Sequence, residues 1–143
     1  MIRRAEATDR GCTELLPHHQ HMLDASAISP EIVQMRGYRS VTVAREVRAL
    51  GFSEYQARVP ALLIPIWGVT GEIVNYQLRP DSPRVKEGKA LKYETPRNSR
   101  MALDVPPACR PLLGNPAVPL YVTEGARKAD AAASQGLCCI ALL

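Results

Sequence analysis

The chain has 143 residues, a formal net charge of +4, a hydrophobic fraction of 46% and an aromatic fraction of 5%. This length suits one domain or two very small ones, and the mild basic charge is compatible with a polyanionic partner without identifying one. Because no apolar run approaches the roughly 18 residues of a membrane span, and because the N-terminus lacks the apolar core of a signal peptide, we expect a cytoplasmic protein that binds no membrane.

Short helices are predicted in an N-terminal segment that we bound at residues 1–58. Ser29 followed by Pro30 is a strong helix start, because serine caps a helix and proline fits its first position. Gly37 is placed to end that helix. Two arrangements of such helices remain open: a helix-turn-helix-like unit, and a small lid that packs on the next domain.

An antiparallel β-subdomain with proline-rich loops is predicted over residues 59–118. The apolar segment Ala61–Trp67 is a strand candidate, although Pro65 favours an edge position or a bulge. A glycine turn and an alternating segment follow, and they predict a hairpin whose polar face ends at Arg79. A short strand over residues 90–93 is expected to rejoin this sheet.

The segment 119–143 predicts the first β-α-β unit of a parallel sheet. A short apolar run ends in Glu124 and Gly125, an alanine-rich segment continues to Gly136, and a second apolar run follows. Open α/β sheets place ligands at the carboxyl ends of their strands, so Glu124 is a candidate site residue. The predicted fold class is α+β: a small helical part, an antiparallel β-subdomain and an incomplete α/β unit.

Two stretches of the sequence carry a resemblance to a known family. The first runs Ile64-Pro-Ile-Trp-Gly-Val-Thr-Gly-Glu-Ile-Val-Asn-Tyr-Gln-Leu-Arg79 and is followed by Lys92-Tyr93; the second is Leu120-Tyr-Val-Thr-Glu-Gly125. In this order they resemble the catalytic core of bacterial-type DNA primases, in which such a β-subdomain precedes a Toprim fold. The form Thr-Glu-Gly-Ala-Arg-Lys-Ala-Asp-Ala-Ala is similar to the Toprim-like domains of phage and plasmid replication proteins.

This resemblance implies Mg²⁺-dependent primer synthesis as the parent activity, with Glu124 as a catalytic residue and metal ligand. In the family that glutamate works with an Asp-x-Asp pair after a later strand, and the sequence ends at Leu143 without one. We therefore expect a truncated Toprim-like domain that binds nucleic acid and is inactive by itself. Single-stranded DNA, nucleotides and a helicase or other ATPase module are the partners that the resemblance implies.

The resemblance also assigns binding roles to several other residues. Arg79 and Lys92 match basic residues that contact template or nucleotide phosphates in primases, and such contacts suit their charge. Tyr93 either stacks on a base or packs in the core. Gly125 allows a close backbone approach at the start of a helix, where N–H groups face an anion. Lys128 stands where many primases carry an aspartate.

Alternative interpretations remain for these residues and for the whole chain. Glu124 could instead begin the following helix, whose N-terminus favours an acid. Arg127 and Lys128 occupy the first turn of that helix, where cations are disfavoured, and this conflict indicates a phosphate or acidic partner. The rival functions are a non-catalytic DNA-binding or replication-accessory module, and a domain that docks on a partner through an unfinished sheet edge.

A zinc site is a further hypothesis for the N-terminal segment, with Cys12, His18, His19 and His21 as its candidate ligands. The spacing lacks a second pair of ligands, and adjacent histidines usually point in different directions. Ordinary solvated or packed histidines are therefore the favoured interpretation.

Overall fold

The computed structural model describes residues 14–143, and it confirms the α+β fold class. Helices and strands alternate irregularly along the chain, and the strands form two three-stranded sheets and one hairpin. In chain order the elements are α1 (Pro17–Ala25), α2 (Pro30–Arg36), β1 (Arg39–Val41), α3 (Ala44–Ala49), β2 (Ala61–Trp67), β3 (Ile73–Pro80), β4 (Arg84–Lys86), β5 (Lys89–Leu91), β6 (Leu103–Asp104), a 3₁₀ turn (Arg110–Leu112), β7 (Leu120–Thr123), α4 (Ala126–Ser134) and β8 (Cys138–Leu142).

Helix α2 begins and ends where the sequence predicts. The Ser29 hydroxyl oxygen accepts a hydrogen bond from the Ile32 N–H, and Gly37 ends the helix with a φ of 83°, a conformation that favours glycine. The strand β1 directly after it was not predicted. Only Val41 of its three residues is buried, so the segment carries too little alternation to be recognised as a strand.

The first sheet has the order β1-β2-β3, with both pairs antiparallel. The predicted hairpin is therefore present, but β2 is the central strand and the edge position expected from Pro65 is wrong. The pairing of β2 with β1 ends at Leu63, two residues before Pro65. The N–H that proline lacks therefore removes no hydrogen bond between β1 and β2. A bulge follows between Ile66 and Trp67, as proline in a strand favours.

The predicted strand over residues 90–93 is only partly correct. Strand β5 pairs with β4 in a separate two-stranded hairpin, and it does not extend the first sheet. The chain returns to that sheet through a single antiparallel bridge between Leu78 and Glu94. Lys92 and Tyr93 therefore lie between a strand and a bridge, outside any regular strand.

The second sheet has the order β6-β8-β7. Strands β7 and β8 are parallel and connected by α4, which confirms the predicted β-α-β unit. Among the described residues, β7 pairs on one side only, and Leu120, Tyr121 and Val122 are exposed there. Glu124 follows directly at the carboxyl end of this edge strand.

One hydrophobic core joins the three parts of the chain. It contains Leu23 and Ile32 from the N-terminal helices, Leu62 and Ile64 from β2, and Ala126 from α4. The helices α1 and α2 thus pack on the sheet as a lid does. A second cluster lies around Val47 of α3, with other members from β2 and β3. Within residues 14–143, no helix has the length and apolar character needed to cross a membrane.

A buried ionic network connects α2 to β6 of the second sheet and to α4. The Arg36 guanidinium is fully buried and donates two hydrogen bonds to Asp104, of 2.5 and 2.9 Å, and two to Asp130, of 2.6 and 2.9 Å. The Tyr38 hydroxyl also donates to Asp130, at 2.6 Å. Burial opposes the charge of Arg36, but the attraction of both carboxylates raises its pKa overall.

Candidate nucleic-acid interface

Arg79 and Tyr93 form the centre of the candidate site. The antiparallel bridge between Leu78 and Glu94 sets the register, and this register places Arg79 opposite Tyr93. The guanidinium carbon of Arg79 lies 5.3 Å from the centroid of the Tyr93 ring, within the range of a cation–π interaction. Tyr93 remains 38% exposed, so its ring is accessible rather than part of the core.

Arg127 joins this pair from the first turn of α4. Its Nη1 donates a hydrogen bond of 2.9 Å to the Tyr93 hydroxyl, and its Nη2 donates to the Ser26 hydroxyl at the end of α1. Of the buried side-chain nitrogen and oxygen atoms in residues 14–143, only Nε of Arg127 lacks a hydrogen-bond partner. Buried polar groups are normally paired, so this N–H is an exception that marks Arg127 for attention.

Lys128 and Glu124 form an exposed ion pair beside Arg127. The Lys128 Nζ lies 2.6 Å from Oε1 of Glu124, and this hydrogen bond, with the charge of the lysine, lowers the pKa of Glu124. Both side chains are exposed, so the pair contributes little to stability. The N-cap residue of α4 is Gly125 and not Glu124.

The two other predicted site residues are Lys92 and Gly125, and no side chain in residues 14–143 forms a hydrogen bond or an ion pair with the side chain of Lys92. Lys92 is exposed next to Tyr93, in a segment without regular structure. Gly125 has a φ of −170°, which is extended backbone open to any residue, and a Cβ added there would meet no atom within 4 Å. The fold itself therefore does not require glycine at this position, and its role in ligand approach stays a prediction.

A small cavity of about 280 Å³ opens at the junction of these residues. Its lining combines two cations, an aromatic ring, a hydroxyl group and a small apolar side chain: Ser26, Tyr93, Arg127, Lys128 and Ala131. We define the basic strip as Arg79, Lys92, Tyr93, Arg127 and Lys128. Arg127 is not among the predicted site residues, although in the sequence its position in the first turn of a helix indicates a phosphate or acidic partner.

The carboxylates around the strip do not by themselves make a Mg²⁺ site. Mg²⁺ binding uses several oxygen ligands, and Glu124 belongs to no cluster of three metal-ligating side chains in residues 14–143. Asp130, the nearest acid along α4, is fully buried in the Arg36 network. Burial raises the pKa of Asp130 more than the Arg36 charge lowers it. The described residues therefore offer Glu124 alone to such an ion.

Comparison with known proteins gives a family match for one segment of the sequence. Residues 110–143, which contain β7, α4 and β8, match a family described as a domain of unknown function (DUF3854). No curated protein matches the sequence. The sequence comparisons therefore assign no activity to the chain.

Solved structures of DNA primases resemble the whole fold. The Aquifex aeolicus primase, with zinc-binding and RNA polymerase domains, has a TM-score of 0.65 at 14% identity, over 88% of this chain and 36% of that one. A Pseudomonas aeruginosa DNA primase domain has a TM-score of 0.60 at 16% identity, over 95% and 49%. The DnaG primase catalytic domain bound to single-stranded DNA has a TM-score of 0.58 at 13% identity, over 89% and 48%.

This chain spans between 36% and 49% of the length of those three structures. At identities of 13% to 16% the likeness establishes the fold and leaves the activity open. It confirms the primase-like fold that the sequence resemblance predicts. The chain therefore has the fold of part of a bacterial DNA primase catalytic core.

Proposed function

We propose that this chain binds single-stranded nucleic acid through the basic strip, as part of a primase-like replication protein. The observation that carries the proposal is the contact series from Arg79 to Tyr93 to Arg127. It joins the end of β3, the segment after β5 and the start of α4 into one surface. That surface combines cations with an exposed aromatic ring, which is the combination that single-strand binding uses.

Each member of the strip has a role that its environment supports. Arg79 is half-buried and held against Tyr93, so little side-chain freedom is lost when it donates to a phosphate oxygen. The Tyr93 ring offers a face or edge to a base, and Lys92 and Lys128 supply exposed charge along the backbone. The Nε–H of Arg127 is a donor that no other described residue uses, on a side chain that lines the cavity.

We propose primer synthesis only for a protein in which further acidic residues join Glu124 as ligands of Mg²⁺. A Mg²⁺ ion needs oxygen ligands in addition to Glu124, and Lys128 competes for the same carboxylate. By itself, the chain is proposed to bind nucleic acid and nucleotides without catalysing transfer. A helicase or other ATPase module remains a proposed partner on the strength of the sequence resemblance, and a phage or plasmid replication protein is the proposed parent.

The test is binding of a fluorescein-labelled oligodeoxythymidine, followed by anisotropy, to the wild type and to Arg127→Ala. Arg45→Ala is the matched control, because Arg45 is an exposed arginine on α3, whose Val47 packs in the second hydrophobic cluster. We expect at least fivefold weaker binding for Arg127→Ala and no change for Arg45→Ala. Equal losses in both variants would mean that binding depends on total charge and not on the strip.

A second candidate function is docking of a protein partner at strand β7. Its exposed Leu120, Tyr121 and Val122, and its outer edge, which pairs with no strand of residues 14–143, favour strand addition. Light scattering over a range of concentrations distinguishes this candidate from simple DNA binding. Self-association that Val122→Lys abolishes, without loss of DNA binding, would support docking as a separate activity.

A further inference from the structure

We propose that His18, His19 and Asp81 form a binding site for Zn²⁺, separate from the basic strip. Nε2 of His18 lies 2.7 Å from Oδ2 of Asp81, and Nε2 of His19 lies 2.8 Å from Oδ1. One ligand atom from each residue lies within 4.8 Å of the others. Two imidazole nitrogens and a carboxylate oxygen are a donor set that zinc commonly takes.

The convergence of the two histidines is unusual for neighbouring positions on a helix. Successive residues of an α-helix are about 100° apart around its axis, so adjacent side chains normally diverge. Here His18 and His19 lie in the first turn of α1, directly after Pro17, and their ring centroids are only 4.2 Å apart. Both rings turn toward Asp81, which directly follows β3.

Ser40 supplies the outer contact that a zinc-binding histidine requires. Nδ1 of His19 lies 2.7 Å from the Ser40 hydroxyl oxygen, which also accepts a hydrogen bond of 2.7 Å from the Leu16 N–H. With its proton on Nδ1, His19 donates to Ser40 and leaves the lone pair of Nε2 for the metal. Such a contact fixes the tautomer and orientation of a metal-ligating histidine.

One side of the site is exposed to solvent. His19 is fully buried, whereas the side chains of His18 and Asp81 are 54% and 28% exposed. Three protein ligands and one water from the open side complete a tetrahedral zinc site. Zinc bonds of about 2.0–2.2 Å place tetrahedral ligand atoms about 3.3 Å apart. The histidine nitrogen next to the zinc-binding oxygen of Asp81 therefore moves away from that oxygen by about half an ångström on binding.

Zinc at this position would tie the start of α1 to the end of β3. Asp81 lies two residues after Arg79, and its N–H donates to the Pro60 carbonyl at 3.0 Å. The bound ion therefore acts as a clamp beside the strand that presents Arg79. In the alternative arrangement the same side chains bind no metal, and the Nε2–H of each histidine donates a hydrogen bond to Asp81.

The test is calorimetric titration of the chelator-treated full chain with ZnCl₂, for the wild type, His18→Ala, Asp81→Asn and His21→Ala. His21 is the matched control, because it is an exposed histidine on the same helix. We expect one zinc per chain in the wild type and His21→Ala, and at least tenfold weaker binding in the other two variants. The buried His19 is left unchanged so that the variants keep the fold.

A second measurement checks the geometry of the site. Co²⁺ in place of zinc should give the intense visible absorption of tetrahedral coordination in the wild type, and His18→Ala should lose it. The proposal is overturned if the wild type takes up no stoichiometric zinc, or if His18→Ala and Asp81→Asn bind it as the wild type does. Circular dichroism of each variant ensures that a loss of binding is not a loss of fold.

Discussion

Arg79 and Tyr93 face each other next to the single bridge between Leu78 and Glu94, with the guanidinium carbon 5.3 Å from the ring centroid. The sequence places these two residues fourteen positions apart, with a separate hairpin between them. Their contact therefore depends on one pair of backbone hydrogen bonds, of 2.9 and 2.8 Å, between Leu78 and Glu94. This contact makes Tyr93 the residue on which the basic strip is centred.

The first prediction compares what the ring of Tyr93 and its hydroxyl each contribute to the binding of single-stranded DNA. Tyr93→Phe keeps the ring over Arg79 and loses only the hydroxyl that accepts from Arg127, whereas Tyr93→Leu loses both. Because stacking of a base on an aromatic ring is worth about 1–3 kcal/mol, Tyr93→Leu should weaken single-stranded DNA binding by about fivefold or more. Tyr93→Phe should weaken it by less. Equal affinities for the two variants would exclude a stacking role.

The second prediction concerns the buried network around Arg36. Arg36→Met leaves two buried carboxylates without their guanidinium, and removing one partner of a buried ion pair costs about 3–5 kcal/mol. Urea denaturation should show this loss in the free energy of unfolding. Arg45→Ala, at an exposed site, should change it by less than about 0.5 kcal/mol. A loss below about 1 kcal/mol for Arg36→Met would mean that the network is poorly formed.

The third prediction follows from the raised pKa of Asp130. As pH rises from the usual carboxyl range toward that raised pKa, the native state retains a proton that the unfolded state has lost. The stability contribution of Asp130 therefore falls as pH rises through this window. The difference in unfolding free energy between the wild type and Asp130→Asn should shift in favour of the variant across the same window. If the difference in unfolding free energy between the two proteins does not change with pH, the pKa of Asp130 is not raised in the native state.

The fourth prediction concerns the ion pair between Lys128 and Glu124. Because the lysine lowers the pKa of Glu124, Lys128→Ala should move the titration of that carboxylate to higher pH. Side-chain carbon chemical shifts measured by NMR follow this titration directly. Lys128→Arg is the conservative control and should keep the lowered pKa. An unchanged titration in Lys128→Ala would show that the pair is not maintained in solution.

The fifth prediction compares two glycines at the ends of α4. Gly125→Ala should leave the free energy of unfolding within about 0.5 kcal/mol, because its backbone is extended and its surroundings are open. Gly136→Ala should cost about 1 kcal/mol or more, because Gly136 has a φ of 80°. If Gly125 admits a phosphate close to the backbone, Gly125→Ala weakens nucleotide or DNA binding even though it leaves stability unchanged.

The sequence predicts those parts of the fold that local signals encode. Ser29 and Gly37 mark the ends of α2, and the alternation that leads to Arg79 marks β3, because caps and side-chain periodicity act over a few residues. The β-α-β unit around Glu124 is recognised for the same reason. The short strands β1 and β5 offer too few positions for periodicity to identify their pairing.

The contacts that assemble the site depend on residues far apart in the sequence. Arg36 is a basic residue in the last turn of a helix, an ordinary surface position, and only the fold shows that it meets Asp104 and Asp130, 68 and 94 residues later. Asp81 likewise meets His18, which lies 63 positions earlier in the sequence. Local patterns carry no information about such pairs.

Salt dependence of single-stranded DNA binding would show whether the basic strip contacts phosphates. Fluorescence anisotropy at two salt concentrations, for the wild type and the Arg79→Ala/Lys92→Ala double variant, measures how many phosphate contacts the strip makes. We expect salt-sensitive binding that is weaker in the double variant and declines less steeply with salt. Binding with the same affinity and the same salt dependence in both proteins would contradict it.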